Sequence, residues 1–478
     1  MRHVVVAQWV LGASFVGACA DDVATFDAPL QPQCGSDGPV TLVELAEDEV
    51  IGSFWRYGDD EGSILTAVVA AEPPPAGELA AVKRHLVVDR CGEELGRTSV
   101  DVGWLTPRHD EVFGCSRDGQ LLHLRTIDDP DPTIVTRGSC YFAEVAGVLV
   151  GKDVDPETSD EQLVTITVAP DGVHRSTLLA GLQPDDDPVY PPTIYLVEDL
   201  IFAQLAADGS VHSVDPATGQ VQLEVASAGD FYPQPRAIAY RPTILADGET
   251  GPVRVRARES GAEVTVVENL PADAGLYWHD ETILRAFASD TQPLGRWFAL
   301  SPLHEIVPPT GTEIVTIRED GLIWLQRDHE DWRTDFLQWH EGQDPVVVME
   351  CKSCFAGWPF DHGDLYVGVN TVYPERLEVW RVRSDGSAPT KVAYPVNNDY
   401  DVLDDGRILA VDDVSQTSAY GPFLLFDGNG GPGHTIAEHV ERHAATATRL
   451  YATPGDVIYE ALHDDGTGAL YRARLAPP

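Results

Sequence analysis

Lysine is nearly missing from this chain. Only Lys83, Lys152, Lys352 and Lys391 occur among 478 residues, and 32 Lys+Arg stand against 77 Asp+Glu for a formal net charge of -45. A surface of that sign repels polyanions, and no basic patch of useful size interrupts it, so nucleic acid is not an expected partner. The charge suits a salty medium, divalent cations or plain solubility. Long apolar runs are missing too. Beyond the first twenty residues no segment approaches the roughly 18 continuous apolar residues of a membrane-spanning helix. There is no Gly-x-Ser-x-Gly elbow, no phosphate-binding loop ending in Lys-Ser or Lys-Thr, and no His-Glu-x-x-His pair. These absences weaken the standard hydrolase and nucleotide-binding readings.

What is present is punctuation. With Gly 42 and Pro 35 beside 43% hydrophobic residues, the chain has material for a large core and is too interrupted for long helices. Turn-plus-strand units recur: "EDGLIWLQRD" around Gly321, "HGDLYVGVN" around Gly363, "DDGRILAVDD" around Gly406 and "PGDVIYEAL" around Gly455. Their glycines lie 42, 43 and 49 residues apart. Glycine supplies the positive φ of a tight turn, and the alternation that follows reads as a strand with one apolar face. "EDLIFAQ" and "DETILRAF" lie two such periods apart, and "RLEVWRVRSDGSAPTKVAY" reads as a further hairpin around Asp385-Gly386.

A period in the low forties made of about four short strands is the pattern of a β-propeller blade. The expected fold is therefore all-β, a single propeller of four-stranded antiparallel blades over 40–478, with eight blades and seven as the alternative. Residues 40–45, "VTLVEL", are placed to pair beside the terminal "GALYRARLAPP" and hide two sheet edges. The stretch "DGSVHSVDPATGQVQLEV" at 208–225 resembles a pyrroloquinoline-quinone-type propeller repeat, with WD-type repeats as the broader comparison. That resemblance implies the fold rather than a cofactor.

The N-terminus has its own pattern. Val4 to Phe15 form an apolar segment of signal-peptide length, and Val16-Gly17-Ala18-Cys19 resembles the bacterial lipoprotein signal. The resemblance implies removal of 1–18, acylation of Cys19, and an acidic, proline-containing tether over 19–39. An ordinary secreted protein cut nearby is the competing reading. Cys34, Cys91, Cys115, Cys140, Cys351 and Cys354 remain, an even number that suits three disulfides outside the cytosol. Fifteen connectivities are open. The expected one pairs Cys351 with Cys354 as a short loop, Cys115 with Cys140 across one repeat, and Cys34 with Cys91 by elimination. A redox or half-zinc role for "CKSC" is the alternative.

Three further groups are candidates for chemistry. His434, His439 and His443 have a spacing that suits a metal if they share a face, and a solvated surface stretch if not. Asp-rich turns at 128–133, 153–161, 185–188 and 427–431 carry oxygens that suit calcium, but lack the EF-hand order and are also what hairpin turns need. Trp324, Tyr366 and Trp380 sit in alternating strands and read as core, whereas Trp332 and Trp339 in "DHEDWRTDFLQWHEG" are placed to line a rim. No catalytic residue and no definite cofactor emerges. The function expected is that of an exported, membrane-anchored, cell-envelope lipoprotein whose propeller, as a monomer, is a platform for a protein or glycan. The alternative is an extracytoplasmic propeller enzyme such as a lyase, glycan hydrolase or quinone-dependent dehydrogenase.

Overall fold

In a computed structural model of the chain, the described residues run from Pro39 to Leu475, apart from internal stretches of which 72–81, 185–193, 287–295, 413–419 and 442–450 are the longest. The expected signal segment 1–18, Cys19, Cys34 and His443 lie outside the described residues. The described residues contain strands and turns and no helix.

Eight separate four-stranded sheets follow one another: sheet 1 (49–98), sheet 2 (102–136), sheet 3 (142–180), sheet 4 (194–225), sheet 5 (230–271), sheet 6 (276–306), sheet 7 (313–352) and sheet 8 (354–396). In each, the strands pair antiparallel in chain order. A closing sheet of eight strands takes Tyr400–Val402 through Gly468–Arg474 and ends on Val40–Glu44, which pairs with Gly468–Arg474 through Val40↔Arg472 and Glu44↔Ala469. The N-terminal strand thus closes the last sheet, as the sequence pattern implies. Among the described residues only Val440↔Ala461 joins the two four-stranded halves of that sheet. The described residues thus form nine sheets, eight of four strands and the closing one of eight.

The core lies between sheets. In sheet 7, Ile323 and Leu325 pack toward sheet 6 while Trp324 packs toward sheet 8. In the closing sheet, Leu409 and Val411 face one way and Ile408 and Ala410 the other. Period-two alternation sends successive side chains to opposite faces, and here both faces are covered, so second strands are apolar throughout rather than on one face. The contacts run on from sheet 2, and Val43, Ile458 and Leu470 of the closing sheet meet Ile51, Val69 and Leu86 of sheet 1. An array whose last member packs on its first is a ring, and the chain is a β-propeller.

The repeated glycines have a second use beyond their turns. Gly321, Gly363 and Gly406 all have positive φ, at 81°, 78° and 82°. The Gly363 carbonyl accepts a hydrogen bond from the Trp324 indole of the preceding sheet at 3.3 Å, and the Gly406 carbonyl accepts one from the Tyr366 hydroxyl at 3.5 Å. The period in sequence is thus a tie between successive sheets.

Candidate functional site on the crossover face

In a meander of four strands, the first–second and third–fourth turns fall at one end of the sheet. The second–third turns and the connections to the next sheet fall at the other. We call these ends the hairpin face and the crossover face. Hydrogen bonds show that the two kinds of crossover connection lie together. Gln204, ending a second strand, donates to the Ala228 carbonyl in the connection from sheet 4 to sheet 5 at 2.6 Å. The Arg241 guanidinium donates to Ala272, Pro271 and Ala274 at the connection from sheet 5 to sheet 6, and pairs with Asp230 at 2.8 Å. Burial pushes the Asp230 carboxyl up, against the pull of Arg241.

Both fully described disulfides tie this face. Cys115, near the end of a second strand in sheet 2, is bonded to Cys140 in the connection to sheet 3, and Cys351 to Cys354 across the connection from sheet 7 to sheet 8. Both are the pairs expected. Cys91 is also disulfide-bonded, and its expected partner Cys34 lies outside the described residues.

The richest cluster sits on sheet 7. Asp335, opposite Arg327 in register, accepts hydrogen bonds from the Arg327 guanidinium at 2.6 and 3.0 Å and contacts His329 Nε2 at 2.8 Å. Its other carboxylate oxygen is buried without a partner. Burial raises the affinity of Asp335 for a proton, but hydrogen bonds and charge from His329 and Arg327 outweigh that and hold the carboxyl below its usual range. Between His329 and Asp335 the chain turns through Trp332, whose φ of 66° is left-handed and whose ring is 78% exposed. The turn is held by Trp332 N–H to the His329 carbonyl at 3.2 Å, and by Ser353 N–H to the Trp332 carbonyl at 2.9 Å.

Two other exposed apolar side chains share this face. Ile244, 81% exposed, lies in the second–third connection of sheet 5, and Val307, 66% exposed, in the connection from sheet 6 to sheet 7. With Trp332 they are the three most exposed large hydrophobic side chains among the described residues. Their connections are braced. A Cβ at Gly229 would come within 2.4–2.5 Å of the Thr243 and Ile244 backbone, so the Ile244 loop lies directly on that glycine. After Val307, Pro308-Pro309 leads into a turn closed by Thr312 N–H to the Pro309 carbonyl at 3.0 Å.

The other candidates separate. Trp324 and Tyr366 are buried, as read, and Trp380 is half-buried with its indole donating to Glu378. Of the two rim candidates, Trp339 is buried and Trp332 is exposed. His434 and His439 are exposed on the strand His434–Glu441, with His439 at a bulge and φ of 58°. Among the described residues no three His, Cys, Asp or Glu side chains group as metal ligands. The Asp155 carboxylate accepts the N–H groups of Glu157 and Thr158, and Asp427 those of Asn429 and Gly431. Each thereby closes its own turn, and the Thr158 and Glu157 bonds hold the Asp155 carboxyl low. Residues 128–130 of the turn at 128–133 and all of 185–188 lie outside the described residues. The stretch 208–225 forms the hairpin Val211–Asp215 and Gln220–Val225, turned by Asp215.

The sequence reading missed the His329–Asp335–Arg327 cluster. Its signal was the run of alternating charges "QRDHEDWRTD", which marks a polar turn without saying which carboxylate is buried.

The chain matches no protein-family model and no curated relative. Among solved structures it is similar to oligogalacturonate lyase from Vibrio parahaemolyticus at 10% identity and TM-score 0.31, over 69% of this chain and 97% of that one. TolB from Acinetobacter baumannii is similar at 12% identity and TM-score 0.28, over 58% and 79%. Acylaminoacyl peptidase from Pyrococcus horikoshii is similar at 8% and 0.29, over 66% and 56%. At these values the likenesses carry no inference about activity.

Proposed function

We propose that the protein is an exported lipoprotein, anchored in the bacterial envelope through acylated Cys19, whose propeller is a rigid platform for binding a partner on its crossover face. We read the closing sheet as two blades, which makes a ring of ten. The observation that carries the platform reading is the placement of Ile244, Val307 and Trp332, the most exposed large apolar side chains described, on braced connections of one face. Exposed apolar side chains on pre-organised backbone are what a binding surface uses, because little entropy is lost on docking. Export is supported by Cys91, Cys115, Cys140, Cys351 and Cys354 all being disulfide-bonded, since such bonds persist in oxidising compartments.

The test is mass spectrometry and membrane fractionation of the full chain expressed in a bacterial envelope, beside Cys19→Ser. A mature N-terminus at Cys19 carrying acyl mass, lost with membrane association in the variant, is the expected result. An unmodified N-terminus cut elsewhere, with the protein free in the medium or periplasm, overturns the anchor.

A further inference from the structure

We propose that the Cys351–Cys354 bond is a thiol–disulfide exchange site, opened by a dithiol reductant of the exported compartment, and that its opening slackens the crossover face at Trp332. The inference rests on export and goes beyond the platform reading, holding whichever partner that face takes.

The two fully described disulfides differ in access and in what they close. Cys115 and Cys140 are buried, at a sequence separation of 25. Cys351 and Cys354 are half-buried at a separation of 3, with Lys352 and Ser353 exposed between them. A short loop closes readily in the unfolded chain too, so in the chain-entropy model its opening is roughly twentyfold less costly to the folding equilibrium. Inside the loop Ser353, which is not glycine, has a φ of 56°. Left-handed backbone at a residue with a side chain is strain, and opening the loop releases it. Exposed and strained disulfides are the ones that exchange.

Ser353 also carries the state of the bond to two sheets. Its N–H donates to the Trp332 carbonyl at 2.9 Å, and its carbonyl accepts the Asn370 N–H at 3.0 Å. Trp332 lies in the second–third turn of sheet 7, and Asn370 ends the second strand of sheet 8. The closed loop holds Ser353 where both bonds form. Once the loop opens, the serine leaves the left-handed region and both bonds are lost. The pair is a switch rather than a catalyst of exchange in other proteins, since no helix among the described residues supplies the N-terminus that activates a catalytic cysteine.

The step balances with a dithiol. Its thiolate attacks the Cys354 sulfur, a mixed disulfide forms as the Cys351–Cys354 bond breaks, and Cys351 leaves as a thiolate that takes up a proton. The Thr334 carbonyl oxygen, 3.7 Å from the Cys351 sulfur, is placed to accept the S–H so formed. The second thiol of the reductant gives up its proton and displaces Cys354, which is protonated in turn. The protein gains two electrons and two protons, and the reductant ends as a disulfide.

The test poises the oxidised full chain in graded ratios of reduced to oxidised dithiothreitol and blocks free thiols with iodoacetamide. Mass spectrometry then reads each pair, and hydrogen–deuterium exchange reads the peptides carrying the Ser353 and Asn370 amides. The expected result is opening of Cys351–Cys354 at a ratio about tenfold lower than Cys115–Cys140, in a chain still folded by circular dichroism. Exchange at both amides should rise about tenfold, and Cys351→Ser with Cys354→Ser should show the fast exchange without reductant. Opening of both pairs at one ratio, or only as the chain unfolds, overturns the exchange site. Selective opening with unchanged exchange at Ser353 and Asn370, or slow exchange in the serine variant, overturns the link to the Trp332 turn. The Cys19 experiment reports on export separately.

Discussion

On the hairpin face, neighbouring sheets are joined by long polar side chains that reach inward. Arg258 pairs with Glu224, donates to the Pro235 carbonyl at 2.7 Å and lies 4.8 Å from the centre of the Phe202 ring, while Arg318 and Trp324 both donate to the Gly363 carbonyl. On the crossover face the ties are disulfides, backbone hydrogen bonds and the Gln204 and Arg241 side chains, and three large apolar side chains are exposed. Both faces thus spend side chains on holding the ring together, and the crossover face adds covalent bonds to them.

The comparison is broken most severely by removing a hairpin-face tie that is also core. Trp324 is about 1% exposed, packs between sheets 7 and 8 and donates to Gly363. Trp324→Ala is expected to cost about 3–5 kcal/mol by cavity formation, with loss of cooperative unfolding in a denaturant titration as the extreme outcome. If this substitution lowers stability by less than about 1 kcal/mol, the ring does not depend on the tie between sheets. The crossover face should respond to Cys115→Ser with Cys140→Ser, which opens a loop of sequence separation 25 and is expected to cost about 3 kcal/mol in thermal unfolding. Chemical reduction of the native chain should reproduce that loss and add those of the other disulfides.

How much of this contrast was legible in the sequence depends on the range of the interactions. The four-stranded unit, the glycine turns and the pairing of residues 40–45 with the C-terminal strand were legible because each is a local pattern or a matter of edges. Cys351 with Cys354 was legible for the same reason, being three residues apart. The number of sheets was not, because nothing local says whether a long interval holds an extra blade or a long loop. Trp332 and Trp339 share one polar run, yet one is exposed and the other buried. Their difference comes from the turn, which leaves Trp332 at positive φ while Trp339 enters the gap toward sheet 6. The site itself was not legible, since it joins Ile244, Val307 and Trp332 from three connections that only the ring brings to one face.

A smaller effect sharpens the electrostatic side of the comparison. Asp335 is buried, and its folded-state pKa lies below the ordinary 3.8 because His329 and Arg327 favour its charged form over the cost of burial. A depressed carboxylate contributes stability that is present above the unfolded-state pKa and lost as pH falls through the folded one. Asp335→Asn should therefore cost about 1 kcal/mol at pH 7, after allowing for the solvent screening of Arg327. The cost should shrink as pH falls below about 4, where the unfolded-state carboxyl takes up its proton before the folded one does. Urea titrations of both proteins at pH 7 and pH 3 check this, and an equal difference at both values would show that the effect is steric.

The smallest effect carries the sharpest distinction between holding the fold and offering a surface. A tryptophan in the left-handed region costs roughly 1–2 kcal/mol relative to glycine, which adopts that conformation without a Cβ clash. The exposed ring recovers little of this by packing, and the fold gains from position 332 only the backbone bonds to His329 and Ser353. Trp332→Gly keeps those bonds and removes the strain, so it should raise stability by about 1 kcal/mol, offset in part by the greater chain entropy of unfolded glycine. A residue kept for the fold would show a loss instead. A rise in the unfolding midpoint would show that the fold carries the Trp332 side chain at a cost, and a fall would return it to the architecture.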